Sequence, residues 1–260
     1  MLTTTASYMQ IARDLPRFLS VTAAKPQVAR ETEYYLANIE KIKSIDDFLG
    51  NQRIFAFAMK AFGLEDMTFA KGFMRKVLTE GIDNRESFAN KLTDPRYREF
   101  AETFNFARHG EVTTIFERTR QGTVDKYVRQ ILEEDSGRHN QGVRLALYFE
   151  RKAPTITSAL AILADPALLK VTQIALGLPP ATSALDIDRQ AALIEERLDL
   201  ADLKDPAKLR TFLNRFTSLW EIENPTQPPA APTIIVGQPI EYGLGSGLLA
   251  SLQNLKLGGQ

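Results

Sequence analysis

The sequence has no cysteine, which excludes disulfides, thiolate metal sites and cysteine nucleophiles. It has only two histidines, His109 and His139, too little material for a histidine-built zinc site. It has no excess charge of either sign, with 32 Lys and Arg against 32 Asp and Glu. Broad electrostatic capture of nucleic acid or of an anionic membrane is therefore not expected. It also lacks the run of about 18–20 apolar residues that a membrane-spanning helix needs; long uncharged stretches such as Val171 to Leu185 are broken by Pro or Gly. The start, Met1-Leu2-Thr3-Thr4-Thr5-Ala6-Ser7, has no basic segment followed by an apolar one, so a cleavable secretory signal is not expected. Synthesis in the cytoplasm is the expectation, with export by an uncleaved route left open.

What is present reads as a helical globular protein. Of 260 residues, 44% are apolar and 25% charged, ordinary values for a chain that buries a core. Apolar residues recur at helical spacing from the start to about Trp220, and strand-like alternation never holds for long. Tyr8, Ile11, Leu15 and Phe18 mark a first helix, interrupted late by Pro16. Asp46 or Asp47, Asn84, Asp94 and Asn140 are candidate helix caps, with Pro95 at a first helical position. Gly63 and Gly81 sit where helices should end. The predicted fold class is all-α.

Self-comparison finds the same pattern twice. Ile54 to Leu64 aligns with Leu168 to Leu178, Phe48-Leu49 with Ile162-Leu163, and Asn51 with Asp165. Leu92-Thr93-Asp94-Pro95 aligns with Leu203-Lys204-Asp205-Pro206, so the offset stays at about 111–114 residues, too long for a solenoid repeat. Two related helical units in a pseudo-twofold bundle are expected. The segments are 1–27, an amphipathic N-terminal stretch; 28–106, the first unit; 107–142, connecting helices; 143–220, the second unit; and 221–260, an extended Pro- and Gly-rich segment, all in one compact domain. Pro225, Pro228, Pro229 and Pro232 mark the start of the last segment.

No motif points to catalysis, a cofactor or a metal. Gly243-Leu244-Gly245-Ser246-Gly247 lacks the strand, helix and βαβ unit that a dinucleotide-binding loop requires. Acid runs such as Glu65-Asp66, Glu133-Glu134-Asp135 and Glu195-Glu196 read as solvated helix faces. Basic clusters such as Arg96–Arg98 are diluted by neighbouring glutamates. The better candidates are amphipathic ends. Tyr8, Ile11, Leu15 and Phe18 at one end, and Leu248, Leu249, Leu252 and Leu255 at the other, suit either a partner helix or docking on the chain's own body.

Several stretches carry a family resemblance: Ala61-Phe62-Gly63-Leu64-Glu65-Asp66, Ser87-Phe88-Ala89-Asn90-Lys91-Leu92, Asp94-Pro95-Arg96-Tyr97, Ala146-Leu147-Tyr148-Phe149-Glu150-Arg151, Ile162-Leu163-Ala164-Asp165 and Ala175-Leu176-Gly177-Leu178-Pro179. Through these the chain, from near Tyr34 to Phe216, resembles DUF1217, a bacterial family of unknown function found chiefly in alphaproteobacteria and often encoded among flagellar genes. The resemblance implies a flagellum-associated role in assembly or structure, with other flagellar proteins as partners, and transfers no catalytic residue. A non-enzymatic protein that works by protein contacts is the expectation; a cytoplasmic export factor or chaperone is the alternative, and an enzyme the third. The broken first helix and the Pro- and Gly-rich end depart from the long terminal coiled coils of axial flagellar proteins, which argues against polymerisation into a filament.

Overall fold

The helical periodicities become α-helices joined by short 3-10 turns, and no strand occurs among residues 2–225, which this computed structural model describes. In order they are α1 (Thr4–Arg13), α2 (Leu15–Ala23), α3 (Pro26–Asn38), α4 (Ile45–Gly50), α5 (Gln52–Ala61), α6 (Lys71–Glu80), α7 (Phe88–Lys91), α8 (Pro95–Thr103), α9 (Phe106–His109), α10 (Gln121–His139), α11 (Gln141–Lys152), α12 (Ala159–Leu163), α13 (Pro166–Leu176), α14 (Ile187–Arg197) and α15 (Pro206–Glu223).

Local chemistry sets most boundaries. Asp14 caps α2 and Pro16 lies in its first turn, so this proline opens a second helix after α1 has ended. Asp94 caps α8 and Asn140 caps α11, as expected. Two expected caps are corrected. Ser44, rather than Asp46 or Asp47, caps α4: its hydroxyl accepts from Asp47 N at 3.0 Å, while Asp47 Oδ2 accepts from Ser44 N at 3.0 Å. Ser87 rather than Asn84 precedes α7; the Asn84 side chain instead accepts from Glu86 N and shapes the preceding turn.

The duplicated sequence pattern is matched by duplicated local structure. Ser44 and Ser158 cap α4 and α12; Asn51 and Asp165 then cap α5 and α13. At Gly63, φ is +68°, Gly63 N donates to Lys60 O and Leu64 N donates to Met59 O at 2.8 Å. At Gly177, φ is +64°, Gly177 N donates to Ile174 O and Leu178 N donates to Gln173 O at 2.8 Å. Both helices thus close with the same pair of hydrogen bonds around a left-handed glycine. Asp94-Pro95 and Asp205-Pro206 open α8 and α15 alike.

Buried apolar side chains form two clusters. The first gathers residues of α3 to α9 and the first half of α10, around Phe48, whose ring meets those of Phe55, Phe100, Phe104 and Phe106. The second gathers α11 to α15 around Phe149, Val171, Leu213 and Phe216. α10 stands between them, packing α5 and α2 and also α11. Its Val124, Tyr127 and Val128 complete the first core. A helix buried from two sides cannot show one clean apolar stripe, which is why its sequence reads as a connector.

α1 does not stay with the first unit. Its Tyr8 is 1% exposed inside the second cluster, and Ile11 packs against that cluster. Thr4 N donates to Glu221 Oε2 at 2.8 Å, the Thr4 hydroxyl donates to the same carboxylate, and Asn140 Nδ2 donates to the Thr4 hydroxyl at 2.8 Å. A carboxylate at the start of α1 satisfies the Thr4 N–H, which has no partner within the helix, and suits the positive end of the helix dipole. The N-terminal helix is thereby fastened to the end of α15.

Candidate functional site

Between the two cores lies a cleft of ≈ 600 Å³. Its walls come from the end of α5, the start of α8, one face of α10, the length of α11 and the junction of α12 and α13. Several residues that carry the family resemblance line it, among them Gly63, Asp94, Arg96, Tyr148, Arg151 and Asp165.

The start of α8 positions the first wall. Arg96, in the first turn, folds back on the capping residue: Nε donates to Asp94 Oδ1 at 3.0 Å and Nη2 to Oδ2 at 2.7 Å. Its remaining nitrogen, Nη1, donates to the Gly63 carbonyl at the end of α5. Burial works to raise the Asp94 pKa, but the Arg96 hydrogen bonds outweigh it and hold the carboxyl below its ordinary range. On the opposite wall, Tyr148 OH donates to Asp165 Oδ2 at 2.6 Å, while Asp165 Oδ1 accepts from Ala167 N and Leu168 N. Burial first, and the Asp165 charge second, push the Tyr148 pKa up.

Two ion clusters join α8, α10 and α11 across the floor. Glu99 of α8 receives Lys126 of α10 and, at 2.9 Å, Lys152 of α11. Glu133 of α10, its side chain 2% exposed, receives Arg129 Nε at 3.0 Å and both Nε and Nη2 of Arg151 at 2.8 Å. Arg129 Nη2 donates in turn to the Leu147 carbonyl at 2.8 Å. The reading of Glu133-Glu134-Asp135 as a solvated face is therefore corrected for Glu133: two guanidinium groups compensate its burial.

Burial alone would raise the Glu99 pKa; Lys152 and Lys126 outweigh it and lower the value to about 2. A carboxylate with a lowered folded pKa stabilises the fold above its unfolded pKa and loses that contribution as pH falls through the folded value. The Glu99 cluster therefore weakens between about pH 4.5 and pH 2. Melting temperatures of the wild type and Glu99→Gln, measured against pH, should differ most above pH 4.5 and converge towards pH 2. A constant difference over that range would show that the charge does not join the helices.

Most carboxylates of the cleft are committed to partners within the chain. A general base needs an uncommitted carboxylate within reach of a substrate proton. Here Glu65 pairs with Lys60, Asp94 with Arg96, Glu99 with two lysines, Glu133 with two arginines, and Asp165 with Tyr148 and a helix start. Asp66 stands exposed on the rim. Among the described residues no group of three or more His, Cys, Asp or Glu is arranged to hold a metal ion. No helix among them is long and apolar enough to cross a membrane. His109 lies away from the cleft, its ring 4.9 Å from that of Phe116.

Of the partner-binding residues expected from sequence, Tyr8, Ile11, Leu15 and Phe18 do not line the cleft. Tyr8 is buried in the second core and Ile11 packs against it, which is the docking on the chain's own body that the sequence leaves open beside a partner helix. Leu15 and Phe18 lie half-buried on α2. Leu248, Leu249, Leu252 and Leu255 lie outside the described residues. The surface instead presents Phe69, 80% exposed, which follows the cleft-lining Glu65 and Asp66. Hydrogen bonds from Ala70 N to Met67 O and from Lys71 N to Phe69 O fix its turn.

A family model described as "Protein of unknown function (DUF1217)" matches residues 61–209, a stretch that contains every residue of the cleft. The structure is similar to an X-ray crystal structure of protein AGR_C_984 from Agrobacterium tumefaciens, with a TM-score of 0.80 and 50% identity over 85% of this chain and 94% of that one. No protein of curated function matches the chain.

Proposed function

The chain belongs to the DUF1217 family, and from that footing we propose that it is a non-enzymatic, flagellum-associated protein, structural or assembly-related, that acts through contacts with other flagellar proteins. The flagellar setting comes from the resemblance. The mode of action is supported chiefly by Phe69, a phenylalanine 80% exposed on a turn held by backbone hydrogen bonds. Burying such a ring against a partner gains about 1.5–3 kcal/mol, and large aromatic side chains are common binding anchors. The ion-paired cleft supports the same reading, because its charges fix helices to one another.

The test is fractionation of motile cells carrying a tagged copy. The protein should appear with purified basal bodies or in the culture supernatant, and Phe69→Ser should reduce that association while shifting stability by no more than about 0.5 kcal/mol, as expected of a surface change. A protein confined to the cytoplasm and bound to an unfolded export substrate would favour the export-factor alternative. Turnover of a small molecule, abolished by one polar replacement in the cleft, would overturn the non-enzymatic reading.

A further inference from the structure

Four basic side chains line the cleft: Arg96, Arg144, Arg151 and Lys152. Three are committed to carboxylates of the chain itself. Arg144, in the first turn of α11, is half-buried, yet its guanidinium forms no ion pair or hydrogen bond among the described residues. Its position is nonetheless built. The stem of Arg144 lies against Gly137 near the end of α10, where a Cβ would come within 2.7 Å of Arg144 Cδ and 3.1 Å of Arg144 Cβ. Glycine costs about 1 kcal/mol inside a helix relative to alanine, and here it makes room for the arginine. Leu145 beside it and Pro166 and Ala167 of the facing wall add apolar surface.

We propose that the cleft docks a short polypeptide segment of a partner protein, with Arg144 receiving an Asp or Glu carboxylate of that segment. This deepens the protein-contact reading and rests on it. A planar guanidinium recognises a carboxylate through paired, charge-assisted hydrogen bonds. The surrounding acids decide the class of ligand. Glu65, Asp66, Asp94, Glu99, Glu133 and Asp165 all line the cleft, so a phosphate or a nucleic-acid strand meets repulsion on several sides. A single carboxylate carries only one charge, which the Arg144 fork offsets, while an apolar neighbour and a base placed to reach Asp66 on the rim fit the rest of the lining. A volume of ≈ 600 Å³ lies in the range of ligand sites and accommodates a few residues of a longer chain.

The probe is a displayed library of random short peptides, selected on the full-length protein and then measured individually. Enriched peptides should share an acidic residue beside an apolar one. Arg144→Gln should weaken them about tenfold or more while shifting stability by no more than about 0.5 kcal/mol, since the guanidinium has no partner among the described residues and glutamine keeps a stem against Gly137. Gly137→Ala, which keeps the charge but displaces the stem, should weaken them too, and Lys170→Gln should not. Peptides without a shared acid, or equal binding to Arg144→Gln, overturn the proposal. So does competition by acetate or inorganic phosphate at the concentration at which the peptides bind, which would make the ligand a free small anion. If peptide binding fails while Phe69-dependent association with basal bodies persists, the cleft proposal falls and the proposed function stands. Peptide binding without that association contradicts the flagellar role and leaves the cleft proposal standing.

Discussion

Glu133→Leu should destabilise the protein by about 3–5 kcal/mol, the cost of removing one member of a buried charge cluster. The expected loss is this large because Glu133 is hydrogen-bonded to Arg129, which is itself buried and whose other carboxylate neighbour, Glu150, stands further off at 3.8 Å, and because it takes two hydrogen bonds from Arg151. Leucine fills similar space but leaves both guanidinium charges without that partner. For a body of this size the loss corresponds to a fall in melting temperature of about 10 °C. Replacing the three side chains together, as Arg129→Met, Glu133→Leu and Arg151→Met, should recover much of it, because a well-packed apolar cluster carries no desolvation penalty. A single Glu133→Leu variant that melts like the wild type would mean that the cluster does not hold α10 against α11.

Gly142→Ala should release the N-terminal helix. A Cβ at this position would lie 2.4 Å from Trp220 Cδ1, 2.7 Å from Trp220 Nε1 and 2.8 Å from Thr4 Cγ2. In an exposed helix the change would gain about 1 kcal/mol in propensity. Here it drives α11 against α15 and α1 together, and such overpacking costs about 1–3 kcal/mol or more. The net expectation is a loss of about 2 kcal/mol, concentrated at α1. Hydrogen exchange should show the amides of α1 exposed first, since an element can open locally below the global unfolding energy. Trp220→Leu in the same chain should restore part of the protection. Unchanged exchange in α1 would show that the junction of Thr4, Gly142 and Trp220 is looser than its geometry states.

What the sequence disclosed divides by how local the cause is. Asp94-Pro95, Asp205-Pro206, Gly63 and Gly177 were readable because a cap, a proline or a left-handed glycine acts within one turn. The repeated pattern was readable because those local signals recur in order. Ser44 was missed because Asp46 and Asp47 beside it are equally good caps by type; the reciprocal bond with Asp47 decides for the hydroxyl. Glu133 was missed because its partner Arg151 arrives from another helix, and an acid run gives no sign of that. Tyr8 carried the right amphipathic signal, but its destination, the core of α11 to α15, depends on contacts far along the chain. The cleft was missed for the same reason: it draws on residues from 61 to 167, and the unpaired state of Arg144 emerges only once its neighbours have found each other.

The proposed role is carried by contact surfaces, and a crosslink formed inside motile cells tests it most directly. Phe69 replaced by benzoylphenylalanine and irradiated in cells should yield an adduct with a flagellar component, identified by mass spectrometry, whereas the same group at the exposed Lys170 should not. Equal labelling from both positions, or no flagellar adduct from position 69, would contradict it.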